Sequence, residues 1–377
     1  MTRILISGAG VGGLALAQAL RRGGMDVVVY ERDPSPRPRR QGYRIHIDRD
    51  GNAALAACLP PDVLERVRST SGVNGDLVAG YTDQLERTTA QTFPPSGDDE
   101  ITCVDRYVFR QALLTGLDDV VRFGCTVASF DVGASGRVRV GFAEGGGDEG
   151  DLLVGADGIG SAVRRGLLPH AVVRDLGVRC LYGRMPLGPD TDPLVPADFD
   201  RGFSWVADRT GYGAGFAPLR FRTPPGGGAS DYLMTVLTAT PERLGVPDEA
   251  LFRMAPDQVW RLTVDATAGW HPTVRALFAH ADPATFFPIT IRAGEPVAAW
   301  SSGPVTLLGD AIHPMPPTGG VGANTALRDA QTLAGELLGG APVVDAVAAY
   351  ERVMLPRGFE VVARSLQMAG SLLGVAV

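Results

Sequence analysis

The stretch that decides the fold is "RILISGAGVGGLALAQALRRGGMDVVVYE", residues 3–31. Two short runs rich in branched apolar residues, 3–7 and 26–31, flank a glycine loop and a segment whose apolar residues recur at helical spacing, with glycines just past its end. This is a β-α-β unit. Gly8, Gly10 and Gly13 stand at GxGxxG spacing on the loop, and Glu31 ends the second strand. Glycine is needed where backbone must come close to a pyrophosphate whose charge is met by amide N–H groups and the positive end of a helix. An acid at the end of the second strand accepts from a ribose hydroxyl and disfavours a 2′-phosphate, so the loop suits FAD or NAD better than NADP. A lone GxGxxG is a weak signal; the flanking strands and Glu31 strengthen it.

Outward from this unit, the chain carries an arginine-rich loop (32–42), an alternating "YRIHID" and a helix over "GNAALAACLPPDVLERV". Further helices read at "VDRYVFRQALLTGL" and after the strand "DLLVG". From about residue 172 the texture changes to longer alternating segments broken by Pro/Gly stretches, the pattern of a mostly antiparallel sheet, with a helical patch near "APDQVWRLTVDATAGW". At "VTLLGDA" the chain returns to the first domain and closes with helices. The expected division is 1–171, with inserted β elements around 72–104, then 172–298 for the sheet domain and 299–377 for the return. The domains are interleaved, with no long linker and no internal repeat.

Composition narrows the function. The 377 residues carry 35 basic and 42 acidic side chains, a formal charge of −7, which argues against a general nucleic-acid binder. All the basic residues are arginine, so any mechanism needing a catalytic amine is excluded. The absence of lysine beside 49 glycines also reflects a coding bias of GC-rich genomes, which weakens the reading of single arginines. Four scattered cysteines with no CxxC pair indicate neither a zinc site nor a disulfide framework, and no metal site is expected. The first strand runs straight into the glycine loop, leaving no room for a signal peptide, and no apolar run has the length of a membrane span. A cytoplasmic protein without membrane partners is the expectation, as monomer or homodimer.

Two further motifs follow apolar strands. Asp157-Gly158 in "VGADGIGSAVRR" reads, taken alone, as a turn. Gly309-Asp310 opens "GDAIHPMPPTGGVGANTALRDA", where three prolines and three glycines crowd the approach to a helix; this Asp serves equally as a helix cap or as an acceptor for a ribityl or ribose hydroxyl. In this order, with Ser161, Arg164, "VDRYVFRQAL" and the terminal "YERVMLPR", the motifs resemble, over essentially the whole chain, the flavin-dependent monooxygenases of the para-hydroxybenzoate hydroxylase type, including tetracycline-modifying and aromatic polyketide hydroxylases.

The resemblance implies an α/β protein, a Rossmann-like FAD-binding domain interleaved with a mostly antiparallel β-sheet substrate domain and a C-terminal helical segment. It implies FAD as cofactor, NAD(P)H as co-substrate, and O2 as the source of one oxygen atom inserted into an aromatic or polycyclic small molecule, in secondary metabolism. Gly8, Gly10 and Gly13 would meet the pyrophosphate, Glu31 the adenosine ribose, Arg106 the phosphates or ribityl chain, and Asp310 the ribityl or pyrophosphate region. Asp157 is implicated in both FAD and NAD(P)H interaction, and the backbone of Gly322, Ala323 and Asn324 would face the pyrimidine edge of the flavin.

The remaining candidates are open. Arg32, Arg37, Arg39, Arg40 and Arg44 crowd one loop, where they dock phosphates, brace a mobile flavin or are simply solvated. Arg44 and His46 share a strand face and are the candidate catalytic residues, His46 as substrate contact or proton shuttle against an ordinary polar strand residue. His313 packs more naturally than it reacts. Tyr182, Trp205, Tyr212, Phe216, Phe287 and Pro317 are candidates to line a substrate pocket; alternation assigns half of the strand aromatics to the core. An FAD-binding protein that holds or cyclises its ligand without oxygenating it would show the same motifs. A flavin halogenase would need a catalytic lysine, which this chain lacks, and a WxWxIP-like segment, which is absent. Hydroxylation, epoxidation and Baeyer-Villiger insertion share these motifs, and a third, C-terminal domain found in some relatives is not expected.

Overall fold

The computed structural model describes residues 2–36, 43–73, 75–94, 97 and 99–375. Strand Arg3–Ser7 lies at the centre of a five-stranded parallel sheet ordered Val305–Leu307, Leu152–Gly155, Arg3–Ser7, Asp26–Glu31, Val121–Phe123. Ile4, Leu5, Ile6, Leu152, Leu153 and Val154 are fully buried, because one face of the sheet packs on helices and the other, around Leu5 and Tyr30, on the small antiparallel sheet that carries Phe142 and Gly150, which leaves no room for polar alternation. Each such side chain contributes about 1.5–3 kcal/mol by leaving water. The helix Val11–Arg22 follows the glycine loop and ends with Arg21 and Arg22 in its last turn, where positive charge is favoured.

Because all five strands run the same way, their carboxyl ends emerge along one edge. Gly8, Glu31, the Ala156-Asp157 turn and the Gly309-Asp310 turn therefore meet there, although the chain separates them by up to three hundred residues. A three-stranded antiparallel sheet (Val127–Val132, Val138–Phe142, Gly147–Gly150) leads back into Leu152–Gly155, and Arg3 and Tyr30 tie it down through Asp148.

The second sheet runs Phe287–Gly294, Val173–Pro186, Tyr232–Ala239, Gly213–Phe221, Gly202–Ala207, Leu77–Thr82, Arg87–Thr92. Its pairings are antiparallel except that Gly202–Ala207 lies parallel to Leu77–Thr82, a strand contributed by the first half of the chain. One face is sealed by the helices Pro256–Ala266 and Pro272–Ala279, with Val259, Val274, Leu277 and Phe278 buried against Leu181, Phe216 and Leu237. The other face carries Cys180, Tyr182, Leu219, Tyr232, Met234 and Ile291, and looks onto Tyr43 and the end of the C-terminal helix.

The expected helix over "GNAALAACLPPDVLERV" is two helices, Arg49–Cys58 and Pro61–Ser69. Pro60 and Pro61 supply no amide donor and push the preceding residue out of helical space, so the first helix stops and the second starts with proline in its first turn. The chain ends in two helices, Gly322–Leu338 and the 31-residue Val343–Leu373. Among the described residues no helix is long and apolar enough to cross a membrane.

Candidate cofactor cleft

The glycine loop is shaped for close approach. Gly8 has φ +107°, and a Cβ there would fall 2.4 Å from the Ala156 carbonyl oxygen; one on Gly13 would fall 2.1 Å from that of Gly8. These two glycines let strand, loop and helix pack. Gly10 differs: a Cβ there meets nothing within 4 Å, so its missing side chain leaves room in front of the helix N-terminus. Glu31 is buried and accepts from the Ala9 amide (2.8 Å) and the Asp33 amide (2.9 Å), so it braces the loop at the ribose end.

Arg110 was not legible as a site residue. Its Nε donates to the Ala9 carbonyl (2.9 Å), and Nη2 lies 3.5 Å from Glu31 and 3.6 Å from Asp33 without making a hydrogen bond. The signal was present: Arg110 follows Arg106 by four residues on one helix and so shares its face. Arg106, the first residue of that helix, lies 5.4 Å over the Tyr43 ring and is close enough to Asp310 to pull its titration down. The helix start is set by Asp105, whose carboxylate accepts from the Tyr107 and Val108 amides.

Asp310 is accessible to solvent, yet enough chain surrounds its carboxyl that burial pushes its pKa up, against the pull of His313 and Arg106. A side chain both reachable and desolvated lines a cleft. It stands beside the next element: a Cβ on Gly322 would be 4.0 Å from Asp310 Oδ1. The Gly322, Ala323 and Asn324 amides precede the first bond of their helix, Thr325 N to Val321 O at 2.9 Å, so this N-terminus offers donors and partial positive charge. The Asn324 side chain is already committed, donating to the His46 carbonyl (3.0 Å) and accepting from the Asp48 amide (3.2 Å), which leaves its backbone for a ligand.

Asp157 Oδ2 accepts from the Ala162 amide (2.7 Å), while Oδ1 is buried and unpaired. Arg164 joins the two Asp turns, donating to the carbonyls of Ile159 (2.7 Å) and Ala311 (2.8 Å). An Arg110 Nη2 that has ion-pair partners but no hydrogen bond, an unpaired Asp157 acceptor, the space at Gly10 and the helix N-terminus at Gly322 fit a long cofactor with a charged middle and hydroxyls to satisfy.

The other expected residues fall variously. Arg32 is exposed beside Glu31, and Arg37, Arg39 and Arg40 lie outside the described residues. Arg44 and His46 sit on a short strand paired with Cys103–Asp105. Burial, then the nearby Arg44 charge, holds the His46 pKa below its ordinary value, so the imidazole is neutral near pH 7; it packs over the Gly320 turn. His313 is fully buried and packs.

Among the aromatics, Tyr182 and Phe287 lie on the sheet face toward the cleft, stacked at 5.8 Å, with Tyr43 a further 5.3 Å from Tyr182. Trp205 stacks on Phe203, which belongs to the same face. Phe216 and Tyr212 do not join them. Phe216 is sealed in the helix-covered core, and Tyr212 packs at that core's edge with its hydroxyl donating to the Arg243 carbonyl. The reason is parity: Phe216 pairs with Ser204, one residue out of step with Phe203 and Trp205, and successive strand residues face opposite ways. Pro317 is exposed on the turn Pro317–Gly319.

Comparisons with known proteins agree with this geometry. Residues 261–365 match the FAD binding domain family, and residues 6–52 match the NAD(P)-binding Rossmann-like domain family. The dual O-methyltransferase/FAD-dependent monooxygenase of Cercospora beticola is 33% identical over 94% of this chain and 44% of its own length. Chloroplastic zeaxanthin epoxidase of Spinacia oleracea is 30% identical over 88% of this chain and 47% of its own. The chain thus spans less than half the length of these curated relatives. Among solved structures, a chain assigned as an FAD-containing monooxygenase from Photorhabdus luminescens subsp. laumondii superposes with TM-score 0.84 at 29% identity, covering 99% of both chains. With the glycine loop, the two Asp turns and the helix N-terminus assembled at one sheet edge, the chain carries an FAD-binding domain and a Rossmann-like domain, and its homologues are FAD-dependent monooxygenases.

Proposed function

We propose that this chain uses NAD(P)H and O2 to insert one oxygen atom into a flat, largely apolar aromatic or polycyclic molecule. The observation that carries the substrate class is the aromatic row Tyr43, Tyr182 and Phe287, with Ile289 beside it, on the sheet face turned toward the cleft. Such a wall favours stacking and dispersion over hydrogen-bonded recognition, the chemistry of a polycyclic ligand.

When bound, FAD supplies the redox and oxygen chemistry. The chain's own part is position, charge and exclusion of water. The Gly8–Gly13 loop and Arg110 would hold the phosphates, Glu31 the adenosine ribose, and Asp310 with Arg106 the ribityl region. Amides at Gly322–Asn324 would stabilise negative charge developing on the pyrimidine side. His46, neutral and half-buried beside the Gly320 turn, would accept a proton there.

The test is anaerobic reduction of the FAD-loaded protein by NADH and by NADPH with a panel of polyketide-like phenols, followed by air and mass analysis of products. A substrate-stimulated reduction and a product heavier by one oxygen atom are expected. FAD retained with no substrate-stimulated oxidation for any phenol would refute the monooxygenase reading and favour a protein that holds its ligand without oxygenating it.

A further inference from the structure

One fully buried carboxylate in this region is not a cofactor contact. Asp329 Oδ2 accepts from the Gly309 amide (2.9 Å) and lies 2.7 Å from His313 Nε2, while Oδ1 accepts from Arg357 Nη2 (2.9 Å). Three chain segments therefore meet on it: the turn Gly309–His313, the helix Gly322–Leu338 that carries Asp329, and the C-terminal helix that carries Arg357. Gly309 takes φ +58° in that turn. Gly358 lets the C-terminal helix close over the His313 ring, since a Cβ there would come 2.4 Å from His313 Cδ2.

The consequence concerns geometry between two cofactor-facing groups. Asp310 is the residue after Gly309, and the Gly322–Asn324 amides begin the helix on which Asp329 stands two turns further on. Asp329 links the two directly. Burial alone would raise its pKa; His313, the Gly309 amide and Arg357 outweigh this and hold it below the usual carboxylate range, so the hub is ionised. A buried charge with both oxygens engaged by three donors is rigid, because any displacement leaves a charged group unpaired.

We propose that Asp329, braced by Arg357 and His313, is a positioning residue that sets the spacing between Asp310 and the Gly322–Asn324 amides, and with it the affinity and electronic environment of the flavin. This rests on the cleft being the FAD site. The C-terminal helix takes part in cofactor binding without touching the cofactor.

The test compares wild type with Asp329→Asn, Arg357→Gln and Arg357→Lys. FAD affinity is measured by fluorescence quenching, the bound flavin by visible spectrum and midpoint potential, and the FAD-free proteins by thermal melting. Asp329→Asn is expected to raise the FAD Kd at least about tenfold, as loss of a partner behind a ligand-holding group commonly does, and to shift the spectrum and potential of what binds. Arg357→Gln should do the same to a smaller degree and Arg357→Lys should restore much of it, which keeps the proposal open to test if Asp329→Asn does not fold. If wild type binds FAD while Asp329→Asn or Arg357→Gln keeps its Kd, spectrum and potential despite a lower melting temperature, the network is scaffolding and the inference is overturned. If wild type itself binds no FAD, the reading of the cleft falls, and the inference with it.

Discussion

Gly10 and Gly13 belong to the same GxGxxG motif, yet the structure predicts opposite responses to alanine. At Gly13 the new Cβ would lie 2.1 Å from the Gly8 oxygen and 3.2 Å from Ala156 Cβ, so backbone must move by about an ångström to restore contact distances. Overpacking of this kind costs about 1–3 kcal/mol, and here the obstructing atom is backbone, which places Gly13→Ala at the upper end. At Gly10 the Cβ meets nothing, and φ −80°, ψ −176° is extended backbone open to any residue. Gly10→Ala loses roughly 0.5–1 kcal/mol as a helix cap and regains about 0.4–1 kcal/mol from the stiffer unfolded chain, for a net change near zero. The methyl nevertheless occupies the space where a pyrophosphate would approach the helix N-terminus. A weakening of FAD binding by tenfold or more is expected, about 1.4 kcal/mol. Thermal melts with and without saturating FAD separate the cases. Gly13→Ala should melt lower in both states. Gly10→Ala should melt like wild type without FAD but lose at least about 1.4 kcal/mol of the FAD-induced stabilisation. Wild-type FAD affinity in Gly10→Ala would refute the placement of the pyrophosphate.

Other perturbations isolate other parts of the cleft. Asp310→Ala removes a desolvated acceptor, so the FAD Kd should rise about tenfold to a hundredfold while the FAD-free protein is no less stable; fluorescence titration and melting check the two halves, and a destabilised apoprotein with unchanged Kd would count against the cofactor role. Phe287→Ala should raise the KM for an aromatic substrate about 3- to 10-fold with FAD affinity unchanged, and an unaltered KM across a series of ring sizes would remove Phe287 from the pocket. Glu351, buried between Ser302 and Thr306, has its pKa raised above the ordinary 4.5 by burial, although the hydrogen bonds from Ser302 and Thr306 oppose this. Its stabilising contribution is complete below the ordinary value and falls as pH rises through the raised one. Glu351→Gln should therefore flatten the loss of stability as pH rises above the ordinary carboxylate value and match or exceed wild type once the wild-type carboxyl has ionised, measured by urea unfolding; an unchanged slope would show that the Glu351 pKa is not raised by folding.

Local chemistry made much of the cofactor cleft readable in advance. Gly8, Gly10 and Gly13 with Glu31 announce a β-α-β turn because glycine spacing, branched strands and helical periodicity are all properties of a few contiguous residues. The substrate side was less readable. Tyr182 and Phe216 both sit in strand segments buried on both faces, 178–183 and 213–219, so alternation divides the aromatics into two sets without saying which set faces the cleft. Arg110 and Asp329 are not legible in the sequence because each acts on another part of the chain: on Ala9, 101 residues away, and on Gly309, 20 residues away.

By itself, then, the order of residues determined the glycine loop, the Asp turns that follow apolar strands and the helix beginning at Gly322, since backbone dihedrals, caps and periodicity act over one or two turns of chain. Only the tertiary structure decided that these pieces form one cleft. Leu152–Gly155 lies between Arg3–Ser7 and Val305–Leu307, and that strand order places Asp157 and Asp310 beside the glycine loop. Strand order follows from burying both faces of the parallel sheet at once, a property of the whole packed domain that no local stretch carries.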